Sequence, residues 1–264
     1  MFVDSHCHLD FPEFAGRIDA IRADMAAAGV DRALCISTAL DGFEAVHAQA
    51  LAQDNFWCSV GVHPDNDVDR EPTLAELVER AARPKVVAIG ETGLDYYRLG
   101  QRTVADMEWQ RDRFRTHIAA SRATGKPLVV HTRSSSDDTI AILKEAGEGA
   151  VGGVFHCFTE TEAVARAALD LGFFISFSGI LTFKTAEALR SVAAFVPLDR
   201  CLIETDSPFL APVPFRGKTN TPALVPHVAA QLAEVKKVSV QAIAKATSGN
   251  FERLFTIPRI RDFT

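Results

Sequence analysis

The stretch Val-Val-Ala-Ile-Gly-Glu at residues 86–91 joins a short apolar, β-branched run to a carboxylate. Such runs, bounded by turn residues, are typical of buried strands in a parallel sheet. Seven similar runs alternate with longer segments of helical period, a pattern that requires helical crossovers between parallel strands. The eight predicted strands are 1–5, 33–37, 57–62, 86–90, 127–130, 153–155, 173–177 and 201–205.

The segments between these strands predict helices. They are 17–28, 73–82, 105–124, 137–146, 161–171 and 186–195, followed by 223–237 and 239–255 after a proline-rich stretch that begins at Pro208. Eight units in 264 residues leave about 33 residues for each, enough for a strand, a helix and two loops. The sequence therefore predicts an α/β protein with one domain over residues 1–264, a closed (β/α)₈ TIM barrel.

Composition excludes several classes of protein. With 47% hydrophobic residues and a net charge of −6, the chain is neither disordered nor a protein with a broad basic face for nucleic acid. The first residues do not have the pattern expected of a secretory signal, and the charge-free apolar run 171–183 falls short of the roughly 20 residues that span a membrane. Five cysteines without a C-x-x-C pair indicate reduced, buried thiols, with Cys7 and Cys157 in the core. We expect a cytoplasmic protein that does not contact membranes.

Ligand-type side chains follow the predicted strands. His6 and His8 are two residues apart, so they share one face of the first strand. A histidine or a carboxylate also follows the fourth, fifth, sixth and eighth strands: Glu91, His131, His156 and Asp206. Because the carboxyl ends of barrel strands converge on one mouth, we expect these six residues to form one cluster.

Four imidazoles and two carboxylates exceed the needs of one tetrahedral ion, whereas two ions that share a bridging carboxylate would use them all. Glu91, in the middle of the set, is the expected bridge. The alternative for any single histidine is a satisfied polar residue at a strand end. Six such coincidences at one end of a barrel favour a metal centre.

Five ordered motifs carry a resemblance to a known family. They are Asp4-Ser5-His6-Cys7-His8-Leu9-Asp10, Gly61-Val62-His63-Pro64, residues 90–97 (Gly-Glu-Thr-Gly-Leu-Asp-Tyr-Tyr), residues 155–159 (Phe-His-Cys-Phe-Thr) and Glu204-Thr205-Asp206-Ser207-Pro208. With Asn250 to Phe255 near the end, they make the chain resemble the TatD family of metal-dependent deoxyribonucleases. His-x-His alone would be weak evidence, because the wider amidohydrolase superfamily shares it.

The resemblance implies a (β/α)₈ barrel with two divalent ions and a magnesium-dependent DNase, often with 3′→5′ exonuclease activity. By resemblance, His6, His8 and Asp206 hold one ion, His131 and His156 hold the other, and Glu91 touches both. Three departures from the family pattern concern substrate contacts and not these ligands. They are Asp65 after His63-Pro64, Ser134-Ser135 after Arg133, and Thr221 in the loop that follows Lys218.

Four further residues are predicted to contact substrate. His63 matches a family position near substrate, where it contacts a phosphate or donates a proton, with a structural histidine as the alternative. Arg133, Arg216 and Lys218 are candidate phosphate ligands in mouth loops, with solvated surface charges as the alternative. Glu204, two residues before Asp206, is a candidate partner that orients a ligating histidine.

We therefore expect a cytoplasmic, TatD-type DNase that contributes to DNA catabolism, with Glu91 and Asp206 as catalytic residues and DNA, as single strands or 3′ ends, as its substrate. Its cofactors are two divalent ions, with Mg²⁺, Zn²⁺ and Mn²⁺ all open. The first alternative is an amidohydrolase-like enzyme that cleaves a small amide, ester or lactone. The second is a metal-stabilised protein that binds nucleotides without turnover.

Overall fold

The computed structural model describes residues 1–257, so the last seven residues of the predicted domain lie outside the described part. Eight parallel strands pair in chain order to form a nearly closed barrel, which confirms the predicted fold class. The strands are β1 (Phe2–Cys7), β2 (Val30–Cys35), β3 (Phe56–Val60), β4 (Val86–Asp95), β5 (Leu128–Arg133), β6 (Gly153–Phe155), β7 (Phe174–Phe177) and β8 (Cys201–Ile203).

Helices alternate with the strands and surround the barrel. They are α1 (Ile18–Ala27), α2 (Phe43–Ala52), α3 (Leu74–Ala81), α4 (Glu108–Thr124), α5 (Ser136–Gly147), α6 (Glu162–Asp170), α7 (Glu187–Phe195), α8 (Val225–Lys236) and α9 (Val240–Phe255). Eight of them agree with the predicted segments to within a few residues. Helix α2 was not among those predicted, because its alanine-rich sequence has apolar residues on every side and little helical period.

The barrel closes between β1 and the segment after β8. The Asp206 N–H donates to the His6 carbonyl at 3.0 Å, and the His8 N–H donates to the Ser207 carbonyl at 2.9 Å. The predicted eighth strand is two residues too long, because β8 ends at Ile203 and the chain then turns into the barrel mouth. Closure therefore brings His6 and His8, at the end of the first strand, next to Asp206, which lies almost 200 residues later in the chain.

Two apolar clusters hold the fold together. The first packs the outer faces of the strands against the helices. The second joins one buried residue from each of seven strands to the end of α9, among them Val3, Leu34, Val129 and Phe251. Residues that meet across the barrel in this way lie in its interior, so α9 covers the end opposite the mouth. All five residues of the aromatic run 173–177 are buried, so this run belongs to the core.

The fourth strand is longer than predicted and contains a bulge. Ile89 pairs with Leu128 and Thr92 pairs with Val130, so β4 uses one more residue than β5 over this interval. Such a bulge re-aims a side chain, and here it holds Glu91. Gly90 has a φ of +147°, and a Cβ at this position would lie 2.7 Å from the Val129 carbonyl oxygen. Glycine therefore lets β4 approach β5 while the next residue turns inward.

Helix α4 holds the loop that follows β3. The Val62 N–H donates to Nε2 of the buried His117 at 3.0 Å, and His117 Nδ1 donates to the Arg113 carbonyl at 2.8 Å. The Arg113 guanidinium donates to the His63 carbonyl at 2.9 Å and pairs with Glu71 at 2.6 Å. His117 is thus a packing histidine, and with Arg113 it places His63 at the mouth. Within the described residues, no helix is both long and apolar enough to cross a bilayer.

Replacement of His117 by glutamine should change how stability depends on pH. Burial lowers the pKa of His117 from 6.5 to about 4. Between these values the unfolded chain binds a proton that the folded chain does not, so the wild type loses stability relative to His117→Gln as pH falls from 6.5 to 4. The full loss is about 3 kcal/mol. Urea unfolding with a chelator present measures the free energy of unfolding of both proteins at each pH. The same pH dependence in both would contradict the low pKa of His117.

Candidate metal centre

Glu91 lies at the centre of the barrel mouth, and five imidazoles surround its buried carboxylate. His156 Nε2 is 2.8 Å and His131 Nδ1 is 3.2 Å from Oε1, while His6 Nε2 is 3.3 Å from Oε2. His63 and His8 approach Glu91 at 3.4 and 3.8 Å. Asp206 completes the cluster, with Oδ1 3.4 Å from His8 Nε2 and 3.6 Å from His6 Nε2. The structure therefore brings together all six predicted ligands.

Hydrogen bonds on the outer side of the cluster assign the imidazole tautomers. The Ile36 carbonyl faces His8 Nδ1 at 3.3 Å, and a carbonyl only accepts hydrogen bonds, so Nδ1 carries the hydrogen. In the same way, His131 Nε2 donates to Asp95 at 3.0 Å and His156 Nδ1 donates to Glu204 at 3.2 Å. In the neutral rings, which are the forms that bind a metal, the nitrogen that faces Glu91 is then left with a lone pair, as a metal ligand requires.

His63 has the opposite tautomer. The Asp65 backbone N–H donates to its Nδ1 at 3.0 Å, so the hydrogen of the neutral ring lies on Nε2. That Nε2–H points toward Glu91 Oε1. His63, Glu91 and His131 are close enough to form a three-ligand group, but His63 presents a donor where a ligand needs a lone pair.

Two observations test whether these residues fit divalent cations. His6 Nδ1 and His156 Nε2 are buried polar atoms with no hydrogen-bond partner, although His156 Nε2 faces the carboxylate. Two of the three-ligand groups in the described chain, His6-His8-Glu91 and His6-His156-Asp206, use predicted ligands alone. Imidazole suits zinc, and carboxylate suits magnesium and manganese, so this donor set fits each of the three expected ions.

The close charges shift the pKa values in the cluster. Burial raises the pKa of Glu91, but His156, His63 and His6 outweigh it and hold that pKa well below its usual value. Burial lowers the pKa of His6 and that of His63. At His156 burial favours the neutral ring, but Glu91 and Glu204 raise its pKa well above the usual value. Protons therefore compete with metal for this ring, and metal binding should strengthen as pH rises.

The cluster opens into a cleft of about 710 Å³. Two of the predicted substrate contacts, His63 and Arg133, line its wall. Arg216 and Lys218 are not among the described residues that line it, and the Arg216 guanidinium instead stacks on the Phe183 ring, 3.5 Å from its centroid. Both cations lie in the long loop between β8 and α8, whose path sequence patterns do not define.

Sequence reasoning missed Asp95 as a partner of His131. The one signal in the sequence is that Asp95 lies four residues after Glu91. Strand β4 continues that far and pairs Asp95 with Arg133 of β5, the strand that also carries His131. Glu204 was predicted to orient a ligating histidine, and it does contact His156. Cys157 was predicted to lie in the core, and this is wrong. It has a φ of +42°, is only partly buried and lines the cleft.

The three departures from the family pattern lie at different depths. Asp65 lines the cleft, and its N–H fixes the His63 tautomer regardless of its side chain. Ser135 is buried and donates to the Leu94 carbonyl at 2.7 Å, which ties the end of β5 to β4. Thr221 precedes the 3₁₀ turn Pro222–Leu224 and is not among the described residues that line the cleft.

The chain is similar to known proteins along almost its whole length. The family described as "TatD related DNase" matches residues 3–256. The chain is 47% identical over 262 residues to "Uncharacterized metal-dependent hydrolase YcfH" of Escherichia coli K12, with 98% of this chain and 97% of the relative covered. It is 32% identical to "3'-5' ssDNA/RNA exonuclease TatD" of Klebsiella pneumoniae strain 342, with 96% and 97% covered.

Solved structures show the same fold. The TatD homolog YJJV of Escherichia coli K12 superposes with a TM-score of 0.88 at 30% identity, and the match covers 97% of this chain and 98% of the other. An organophosphorus hydrolase from Deinococcus radiodurans superposes with a TM-score of 0.60 at 16% identity, covering 96% and 92%. The second likeness concerns the fold alone.

Replacement of Asp95 by asparagine should weaken metal binding about 10- to 100-fold. Asp95 also accepts from the Tyr97 N–H, so an asparagine that keeps this bond turns its NH₂ donor toward His131 Nε2 and no longer holds the hydrogen there. Competition with a chromogenic chelator measures the affinity. Asp138→Asn is the matched control, since Asp138 accepts from Tyr96 and Arg111 and is not one of the cluster residues. Equal affinities for the two variants would contradict the role of Asp95.

The hydrogen on His63 Nε2 predicts that His63 does not ligate a metal ion. We expect His63→Ala to keep the wild-type metal content and His131→Ala to lose about half of it, because only His131 presents a lone pair. Elemental analysis after dialysis measures metal per chain. A comparable loss in His63→Ala would show that His63 ligates an ion.

Proposed function

The chain belongs to the family of TatD-related DNases, and we propose that it hydrolyses phosphodiester bonds of DNA as a 3′→5′ exonuclease that depends on two divalent cations and uses water as its nucleophile. The observation that carries this proposal is the convergence of four imidazoles and two carboxylates on one cleft, with Glu91 between the two halves of the set. His6, His8 and Asp206 would hold one ion, His131 and His156 the other, and Glu91 both.

Two divalent cations, when bound, lower the pKa of a coordinated water and polarise the phosphoryl group. Their charge would exceed that of the two carboxylates that would hold them, Glu91 and Asp206, so the ions would attract a phosphodiester. Imidazole rings held from behind by Asp95, Glu204 and the Ile36 carbonyl keep the ligand positions in place during turnover.

Asp206 is the proposed acceptor of the proton from the attacking water. Burial raises its pKa, but His8 and His6 outweigh this and lower it, so the carboxylate is ionised. Its side chain is 15% exposed, whereas that of Glu91 is 3% exposed, so Asp206 is the more accessible of the two proposed carboxylate ligands. A φ of +56° turns it away from the line of β8 toward the mouth.

His63 is the proposed hydrogen-bond donor to a phosphate oxygen. Its Nε2–H faces the cluster, and a neutral donor binds a phosphate oxygen without any change in protonation. Arg133 lies on the same side of the cleft and supplies a positive charge for a phosphate.

Hydrolysis of a small amide, ester or lactone is the competing proposal, because a dinuclear centre also attacks carbonyl groups. Many such relatives bridge their ions with a carboxylated lysine on the fourth strand. Here the bridge position holds Glu91. Lys85, the residue before β4, donates to the carbonyls of Gln53 and Phe56 at the opposite end of the strand from Glu91. A glutamate in place of a carboxylated lysine at the bridge position therefore favours phosphodiesters over carbonyl compounds as substrates.

One experiment separates these activities. Metal-stripped protein is reloaded with magnesium, manganese or zinc and incubated with end-labelled single-stranded DNA, RNA, and a panel of esters, amides and lactones. We expect stepwise shortening of DNA from the 3′ end with at least one metal and a loss of at least about 100-fold in Glu91→Ala. The control is Glu44→Ala, whose carboxylate pairs with Arg83 outside the cleft. Intact DNA together with turnover of a carbonyl substrate would refute the nuclease proposal.

A further inference from the structure

Two phenylalanine rings lie at one side of the barrel mouth. Phe209, three residues after Asp206, is 50% exposed although it lines a cleft that is otherwise rich in polar groups. Phe11, from the loop after β1, is partly buried and lines the same cleft. We name these two rings the aromatic shelf. A large apolar ring that is half exposed beside a catalytic cleft indicates a ligand with an apolar group that covers the ring when it binds.

The aromatic shelf begins at the candidate metal centre. The Phe11 ring stacks on the His8 imidazole, with centroids 4.8 Å apart and planes 21° apart. Phe209 meets Phe11 edge to face at 5.9 Å. His8 Nε2 is in turn 3.4 Å from Asp206 Oδ1. A group bound on the shelf is therefore within one nucleotide of a phosphate held at the cluster.

The backbone holds Phe209 in position. Its N–H donates to the Asp206 carbonyl at 3.0 Å, and its carbonyl accepts from the Asn220 side chain at 2.7 Å. Asn220 is fully buried, and its side chain also donates to the Thr205 carbonyl at 2.9 Å. The ring is thus presented by a pinned segment, which reduces the entropy that a ligand must offset on binding.

The opposite side of the mouth is cationic. Arg133 ends β5 and Arg98 follows β4, and both line the cleft. Strands β4 and β5 lie half a turn of the barrel away from β1 and β8, which carry the aromatic shelf. The Arg133 guanidinium stacks on Tyr97, 3.6 Å from the ring centroid, so it is held over the mouth. Apolar rings therefore face cations across the cluster.

We propose that the aromatic shelf binds the unpaired terminal base of a single-stranded nucleic acid while Arg133 contacts the phosphate of the neighbouring nucleotide. In a duplex the faces of the bases are covered by their neighbours, whereas an unpaired base has a free face that stacks on an aromatic side chain. The inference rests on the proposed function, because the scissile phosphate is taken to lie at the metal centre. It adds the reason for a single-stranded substrate.

The test measures binding and cleavage separately. The metal-loaded enzyme is titrated with DNA tetranucleotides whose linkages are phosphorothioates, which slow hydrolysis. A 2-aminopurine at either the 3′ or the 5′ end reports stacking through its fluorescence, and oligonucleotides with an abasic residue at the same end are matched competitors. Cleavage of the unmodified oligonucleotide is followed in parallel.

We expect the wild type to bind the base-bearing 3′ end about 10-fold more tightly than the abasic one and to quench its fluorescence. Phe209→Ala should lose this preference with little change for the abasic oligonucleotide, and Phe209→Trp should restore it. The control is Leu51→Ala, since Leu51 is 51% exposed on α2 and does not line the cleft.

Two further outcomes would contradict either the aromatic shelf or the nuclease proposal. If Phe209→Ala keeps the wild-type preference for the base-bearing over the abasic oligonucleotide, the aromatic shelf does not bind a base and the inference is overturned. The same holds if the wild type shows no such preference at either end. If the preference depends on Phe209 but no unmodified oligonucleotide is cleaved with any metal, the shelf is supported as a binding site and the nuclease proposal fails.

Discussion

The contact between one buried carboxylate and five imidazoles is the constraint on which the rest of this site depends. Glu91 is 2% exposed, and the five rings reach it from four strands or the loops that follow them. A buried carboxylate is costly unless it is paired. The bulge in β4, the glycine before Glu91 and the closure of β1 on β8 all serve to bring these partners to it.

Groups on the far side of each imidazole ring from Glu91 decide what the ring can do. A carbonyl or a carboxylate behind His8, His131 and His156 removes the hydrogen from the nitrogen that faces Glu91, whereas a backbone N–H behind His63 leaves it there. Rings that look equivalent by distance are therefore unlike in chemistry. Three are suited to bind a cation, and His63 is suited to donate to an oxygen anion.

The barrel also separates two kinds of contact around the mouth. Strands at the point of closure bring aromatic rings to one side, and strands half a turn away bring arginines to the other. A nucleotide chain has the same division, with apolar bases on one side and charged phosphates on the other. A nucleotide chain that crosses the cluster would therefore contact both sides at once.

The sequence by itself determined the fold class and the membership of the cluster. The alternation of apolar runs with helical periods requires parallel strands, and parallel strands of a barrel present their carboxyl ends at one mouth, so His6, Glu91, His131 and Asp206 could be grouped without coordinates. The tertiary structure decided what local patterns do not encode: the bulge that turns Glu91 inward, Asp95 behind His131, the hydrogen on His63, the exposure of Cys157, and the exclusion of Arg216 from the cleft wall. The reason is physical. Periodicity reports which face of an element is buried, whereas hydrogen-bond partners and cleft walls depend on which distant segments are brought into contact when the barrel closes.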